Sequence, residues 1–400
     1  MVSGWRIPQA IQERRARLMR VRLVIACALA TSASTPATAQ PAAIPTEDDV
    51  PVALLVDVTS GQVLFARNAH RRFVPASITK VMTLYLAFEM IEAGRLDPRQ
   101  PLVVTPQVAS EWSGKGSTMF LQADDRVQLS DLLKGIATVS ANDASIVVAE
   151  KGAGSVPAWT AQMNAKARSI GMEQSHFATP NGWPDGGRTF TTASDLVTLA
   201  TALVRDHPKK YKKFIGLPDF RYGPIAQSNR DPMIGRIEGS DGIKTGYTNE
   251  AGFGYLGTAK RGDQRLVMVL AGAYRNATRA RSARSLIEWG FTAFDRQRLF
   301  SSGSIVGSAR VQNGAASNVD LITDRAVAVN APKGKAEDIR ITITYDGPLR
   351  APIAEGEKVG VLEIQVPDME PARVPLLART SVSKAGLMDR IANAFSGWFG

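Results

Sequence analysis

The chain sets a hydroxyl and an amine three residues apart, Ser77 and Lys80, in Pro75-Ala76-Ser77-Ile78-Thr79-Lys80. On a helix that spacing puts both groups on one face, one turn apart. A serine hydroxyl is a weak nucleophile until a base takes its proton, and an uncharged amine is such a base. Two further stretches complete the inventory of an acyl-transfer site. Ser140-Ala141-Asn142 brings a second hydroxyl and an amide; Lys244-Thr245-Gly246 brings a cation, a third hydroxyl and a residue without a side chain. Singly, each has an ordinary explanation, since serine caps helices and asparagine ends them. Together they supply a nucleophile, a base and polar groups of the kinds that acyl transfer uses.

The roles follow from what acyl transfer demands. Ser77 attacks a carbonyl carbon and becomes acylated. Lys80 accepts its proton only when uncharged, which requires burial and a nearby cation such as Lys244 to lower its pKa. Ser140 relays that proton to the departing nitrogen. Asn142 pairs with a substrate amide, having both donor and acceptor. Lys244 and Thr245 hold a substrate carboxylate, and Gly246 leaves room for an extended substrate along a strand edge. The developing oxyanion needs two preorganised N–H donors; the amides of Ser77 and Tyr247 are the natural pair. No cofactor or metal is called for: His70, His176 and His207 are scattered without carboxylate spacing. His176 reads as a packed or hydrogen-bonded residue rather than a base. Trp112 and Trp183 read as cleft lining or as core, and Asp124, Asp125 and Asp206 as solvated.

These side chains need a scaffold. Pro75 suits the first turn of a helix, and no breaker follows before Gly94. The sequence therefore predicts a helix with Ser77 in its opening turn, where free N–H groups and the helix dipole favour negative charge. Residues 130–139 read as one amphipathic helix capped by Ser130, with Ser140 and Asn142 at its end. Residues 194–204 form another helix and 277–294 a closing one. Strand character marks 52–58 and 62–66, then 242–247 and a hairpin of 253–259 with 265–273. Strands from both ends thus flank a mostly helical stretch from 76 to 210. The prediction is an α+β domain with one antiparallel sheet between helical layers. Beyond a linker at 300–304, short strands at 305–311, 326–329, 339–345, 359–366 and 373–377 predict a small all-β domain.

Four hundred residues, 44% hydrophobic and 21% charged, are a globular composition large enough for two domains. The net charge of +11 fits an anionic membrane surface or a polyanionic wall as well as nucleic acid. No zinc-finger or RNP-type signature accompanies it, so nucleic acid is not an expected partner. Much of the excess sits in Arg6, Arg14, Arg15, Arg17, Arg20 and Arg22, ahead of the apolar run 23–30 and the small-x-small site Ala37-Thr38-Ala39. Residues 1–39 therefore read as a secretory signal peptide, with Met19 as an alternative start. The run is too short to span a bilayer. Only four apolar residues separate Arg22 from Cys27, which speaks against a lipoprotein signal. Cys27 is the single cysteine, so the exported chain has no disulfide, thiolate metal site or cysteine nucleophile. At the far end, residues 384–400 place Leu387, Ile391, Phe395, Trp398 and Phe399 on one face of an amphipathic helix. It is read as lying in a membrane interface, with docking on its own domain as the alternative.

S-x-x-K, S-x-N and K-T-G in this order resemble the set shared by penicillin-recognising serine acyltransferases. More closely, the chain resembles the low-molecular-mass penicillin-binding proteins that act as D-alanyl-D-alanine carboxypeptidases. The likeness runs from about residue 45 to the end and includes Ser140-Ala141-Asn142-Asp143-Ala144, Gly171-Met172-Glu173-Gln174-Ser175-His176-Phe177 and Asp241-Gly242-Ile243-Lys244-Thr245-Gly246-Tyr247-Thr248. Gly more usually occupies the place of Ala141. The resemblance implies a β-lactamase/transpeptidase-like domain over 40–299, a β-rich domain over 304–380 and the amphipathic anchor over 384–400. It implies removal of the terminal D-alanine from peptidoglycan pentapeptide stems without a cofactor, trapping by β-lactams as slowly hydrolysed acyl-enzymes, and a peripheral seat on the periplasmic face of the cytoplasmic membrane. It also implies that Arg230, in Asn229-Arg230, helps bind the substrate carboxylate.

Three alternatives share the motifs. A class A β-lactamase needs a Glu to activate the deacylating water; Glu173 falls at a fitting distance, but His176 stands where an Asn is expected, and the β-rich domain has no place there. A non-enzymatic β-lactam sensor or wall-binding protein would hang from transmembrane segments, which the sequence lacks. An endopeptidase cutting cross-links uses the same scaffold, though the β-rich domain and terminal helix favour the carboxypeptidase.

Overall fold

A computed structural model of the chain describes residues 21–23 and 44–386. The expected signal peptide, apart from the backbone of 21–23, and the expected terminal helix beyond Gly386 lie outside the described residues. The chain divides into two compact units between Ala293 and Phe294, residues 60–62 being grouped with the second.

The first unit is built on a five-stranded sheet. Its strands are β1 (Val52–Asp57), β2 (Gln62–Arg67), β3 (Ser240–Thr248), β4 (Gly252–Arg261) and β5 (Gln264–Ala273), in the spatial order β2-β1-β5-β4-β3. The helical stretch is an insertion between β2 and β3, so strands from both ends of the unit meet in one sheet. Pairing is antiparallel across β1/β5, β5/β4 and β4/β3, with Leu54 opposite Val269 and Thr245 opposite Tyr255. Side chains alternate across the sheet. Val52, Leu54, Val56, Val267 and Val269 join the main core with the helical insert. Leu55 and Leu266 face the other way, where Gly290 of the closing helix approaches so closely that a Cβ there would lie 2.6 Å from Leu55 Cδ2. Helices therefore cover both faces, as the sequence predicts.

At the centre of the insert runs α1 (Lys80–Glu92). Lys80 through Phe88 and Met90 are all buried; a helix apolar all round is one enclosed by others. Each fully buried Leu, Met or Phe contributes about 1.5–3 kcal/mol, and that packing offsets the cost of burying the Lys80 amine. α2 (Leu129–Lys134) follows, then a π turn over Gly135–Val139, α3 (Asn142–Ala153), α4 (Val156–Ser169), α5 (Ala193–Asp206) and α6 (Asn276–Thr292). The single Ser130-capped helix is thus corrected: Gln128 holds the N-cap position without a side-chain bond and the last five residues wind as a π turn. The wider turn lets Ala141 N–H reach back to Gly135 O at 3.1 Å while Asn142 N–H bonds Ser117 O at 2.7 Å. It leaves Ser140 left-handed at φ 66°, ψ 33°, a sparsely populated conformation of the kind that gathers at functional sites. Elsewhere side-chain caps operate as expected: Ser155 accepts from Ala158 N and Thr192 from Asp195 N.

The second unit is all β. Its larger sheet has the order Val21–Leu23, Arg340–Thr344, Lys358–Gln365, Ala372–Ala378, Asn318–Ile322, Ile305–Gln312 and Leu349–Arg350. Val306, Ala309, Leu321, Leu362, Ile364 and Leu376 fill its core. Phe294–Phe300 pairs antiparallel with Val327–Pro332, so the expected linker at 300–304 is the end of a strand and a turn inside this unit. Its partner strand, distant in sequence, is what makes the charged stretch 294–300 extended. Among the described residues no helix is long and apolar enough to cross a membrane.

Candidate active site

Ser77 lies in a 3-10 turn, Ala76–Thr79, immediately before α1, rather than within the α-helix itself. Ala76 beside it has φ +49°, a strained value for a residue with a Cβ. Two glycines let the chain press on this turn. A Cβ at Gly182 would stand 1.8 Å from Ala76 O, and one at Gly246 would stand 2.6 Å from Pro75 O. Gly246 thus makes room for the turn carrying Ser77, a need the sequence reading gave to the substrate.

Lys80 opens α1 with no exposed surface. Its Nζ lies 2.9 Å from Ser77 Oγ, 2.8 Å from Asn142 Oδ1 and 2.6 Å from the Asn181 carbonyl. Burial pushes the amine well below the ordinary lysine range, the Lys244 and Arg230 cations push the same way, and the buried Asp143 carboxylate opposes them. An uncharged amine has two hydrogens and one lone pair. Two of its neighbours, Asn142 Oδ1 and Asn181 O, can only accept, so the lone pair is left for the Ser77 hydroxyl. That is the arrangement a general base requires.

Asn142 is held at both ends: Oδ1 faces Lys80 and Nδ2 donates to Lys115 O at 2.9 Å. It positions Lys80, a duty the sequence did not reveal, and one Nδ2 hydrogen is left without a bond among the described residues. Asp143 next to it anchors the segment 119–121 by accepting from the N–H groups of Met119 and Leu121, and also from Ala144. Burial raises its pKa against those bonds.

An open cavity of about 670 Å³ collects the remaining residues. Ser77, Ser140 and Asn142 line it from the helical side, Thr245, Gly246 and Tyr247 from the exposed edge of β3, and Arg230 from the loop before β3. Lys80 and Lys244 lie beneath the lining. Lys244 is 3% exposed and bonds Thr245 O at 3.1 Å; burial first, then Arg230 and Arg279, bring its pKa down to about 7. Strand alternation sends Lys244 and Gly246 to one face and Thr245 and Tyr247 to the other, so Lys244 sits beneath the lining, where it serves as the cation expected near Lys80. Tyr247 is half exposed, stacked 4.1 Å from Phe253.

Several contributors escaped the sequence reading. Asn181 and Lys115 act through backbone carbonyls, which no side chain announces. Arg279 of α6 lines the cavity while only 4% exposed. Its signal was legible, an arginine on the face shared by Thr278, Ser282 and Ala283. Ser117 accepts from Arg230 Nη1. Trp183 lines the cavity; Trp112 packs edge-on against it at 5.5 Å and does not. Glu173 is exposed and outside the cavity lining, so it holds no deacylating water there. His176 bonds Arg188 O at 2.7 Å, away from the cavity. Asp206 is not merely solvated: it accepts from Tyr85 Oη at 2.8 Å and pairs with Arg205.

Known proteins resemble this chain along most of its length. Residues 37–275 match the profile of the family described as D-alanyl-D-alanine carboxypeptidase, and 294–384 match the C-terminal domain of penicillin-binding protein 5. The D-alanyl-D-alanine carboxypeptidase DacD of Salmonella typhimurium is 32% identical over 94% of this chain and 99% of its own. DacA of Escherichia coli is 29% identical over 96% of this chain and 98% of its own. Among solved structures, penicillin-binding protein 5 of Haemophilus influenzae superposes with TM-score 0.76 at 28% identity, covering 86% of this chain and all of that one. Fold, ordered motifs and full-length relatives agree: the chain belongs to the D-alanyl-D-alanine carboxypeptidase family of serine peptidases and is an enzyme of that activity.

Proposed function

We propose that Ser77 is the nucleophile and Lys80 its base, and that the enzyme works on peptidoglycan pentapeptide stems. The observation that supports this most is the solvent-free amine of Lys80, 2.9 Å from Ser77 Oγ with two other acceptors fixing it. Ser77 Oγ bonds to the carbonyl carbon of the penultimate D-alanine and its proton passes to Lys80. The Ser77 and Tyr247 amides hold the oxyanion. On collapse the C–N bond breaks, the proton passes through Ser140 to the leaving nitrogen, and D-alanine departs with its carboxylate at Thr245, Arg230 and Arg279. Water then adds to the ester under the same base and frees Ser77. A β-lactam meets the same nucleophile: its amide C–N bond opens but the leaving nitrogen stays tethered, leaving a persistent ester. A solved relative at 27% identity, penicillin-binding protein D2 of Listeria monocytogenes, is an ampicillin-bound form.

We further propose that residues 1–39 direct export and that 384–400 seat the enzyme peripherally on the periplasmic face of the cytoplasmic membrane. A paired assay tests the reaction: D-alanine released from a stem pentapeptide, and turnover of a chromogenic β-lactam, for the wild type and Lys80→Met. D-alanine release with stoichiometric, slowly reversed labelling, both lost in the variant, is expected. Rapid β-lactam turnover without D-alanine would make the chain a lactamase, and labelling without either turnover a sensor. Sedimentation with anionic vesicles, lost on removing 384–400, tests the anchor; unchanged sedimentation would overturn it.

A further inference from the structure

Next to the active-site cavity lies a second hollow of about 320 Å³ that shares Arg230, Asn276 and Arg279 with it and adds Asn229, Asp231 and Arg236. Its charge is unbalanced. Arg230, Arg236 and Arg279 form no ion pair among the described residues, although each reaches this space. Asp231, the carboxylate in the lining, is already occupied by Met233 N–H at 2.8 Å, Ile234 N–H at 3.1 Å and Tyr255 Oη at 2.8 Å. Arg279 is 4% exposed; its Nη2 donates to Asn276 Oδ1 at 2.6 Å, and its Nε is buried without a hydrogen-bond partner. The hollow also faces the start of α6, whose first turn has no acidic residue and no side-chain cap. A buried guanidinium whose Nε–H has no partner, two further arginines without a carboxylate partner among the described residues and an uncapped seventeen-residue helix make a site for negative charge.

We propose that this hollow is a second anion subsite on the leaving-group side of the scissile bond, taking a further carboxylate on the residue that departs. It rests on the reading in which Thr245, Arg230 and Arg279 hold the terminal carboxylate, since the hollow begins at those two arginines. A leaving D-alanine leaves it unfilled. A leaving residue with a second carboxylate, such as a D-amino diacid, places one carboxylate at Thr245 and the other between Arg236 and Arg279. The chemistry is the established hydrolysis with a different amine released, so the subsite widens the range of bonds cut rather than adding a step.

The test uses three acylated dipeptides ending D-Ala-D-Ala, D-Ala-D-Glu and D-Ala-D-Lys, with kcat/KM measured for the wild type, Arg236→Glu and Arg275→Glu. Arg236 contacts the hollow and not the main cavity, so D-Ala-D-Ala hydrolysis should stay within twofold in every variant and reports that the protein is folded. The D-Glu/D-Lys preference should fall roughly three- to thirtyfold in Arg236→Glu, as expected for reversing an exposed charge pair. It should change much less in Arg275→Glu, a neighbouring exposed arginine outside the lining, and the Arg236 effect should fade with added salt. An unchanged preference in Arg236→Glu, or an equal change in Arg275→Glu, overturns the subsite. Loss of D-Ala-D-Ala hydrolysis in the wild type would instead overturn the assignment of the site beneath it.

Discussion

Replacing Gly246 by alanine tests whether the K-T-G strand positions the nucleophile. The added Cβ would stand 2.6 Å from Pro75 O, 3.1 Å from Ile78 Cγ1 and 3.3 Å from Ile78 N, against an ordinary separation of 3.4 Å or more. Two of those atoms are backbone of the turn that carries Ser77 or lead into it, so the strain is not relieved by a side-chain rotation. The turn or the strand must move by most of an ångström. Overpacking of this kind costs about 1–3 kcal/mol of stability, which lowers Tm by about 2–10 °C in a unit of this size. A misplacement near 1 Å costs roughly 10²-fold in rate. Single-turnover acylation by a chromogenic β-lactam, D-alanine release and a thermal melt measure the three consequences together. Gly254→Ala on the neighbouring strand is the control. Its Cβ would meet the flexible Ile78 Cδ1 at 3.2 Å and Leu270 O at 3.4 Å, and its acylation rate should stay within about threefold of wild type. A folded Gly246→Ala enzyme that acylates as fast as the control would refute the reasoning.

Three further expectations follow from the buried charges. Because Lys80 acts uncharged and its pKa lies well below 10.5, kcat/KM should rise with pH along a limb far below the ordinary lysine range; Lys80→Arg, which cannot lose its proton, should cost about 10²–10⁴-fold. Lys244 titrates at about 7 when folded against 10.5 for an ordinary lysine. Between those values the unfolded chain binds the extra proton, so stability should increase with pH across that window. Urea unfolding at several pH values should give a steeper rise for the wild type than for Lys244→Met; parallel curves would contradict the assignment. Asp143→Ala strands three buried N–H donors and should lower stability by about 2–5 kcal/mol, read as a drop in denaturant midpoint.

What the sequence disclosed and what it hid divide along a physical line. Ser77, Lys80, Ser140, Asn142 and Lys244 were legible because each belongs to a motif whose spacing fits within one turn or strand. The sheet between helical layers was legible because alternating and helical periods are local patterns. The depth of Lys244 was not, since only the register of β3 against the Ser77 turn decides which face it takes. Nor were the carbonyls of Asn181 and Lys115, which orient Lys80 and Asn142 without a distinctive side chain. The π turn before Ser140 hid for a similar reason: Gly135–Val139 has ordinary helical composition, and Ser117 and Gly135 supply the bonds that widen it. Residues 295–299, left without an element between the closing helix and the expected linker, become strand only because Val327–Pro332 lies beside them.

The most direct test of the central claim is the location of the covalent intermediate. The purified enzyme is mixed with a β-lactam, quenched, digested and mapped by mass, with D-alanine release from a pentapeptide followed on the same preparation. A single adduct on Ser77, with both labelling and D-alanine release abolished in a folded Ser77→Ala variant, is the predicted result. An adduct on Ser140, or D-alanine release that survives Ser77→Ala, would contradict it.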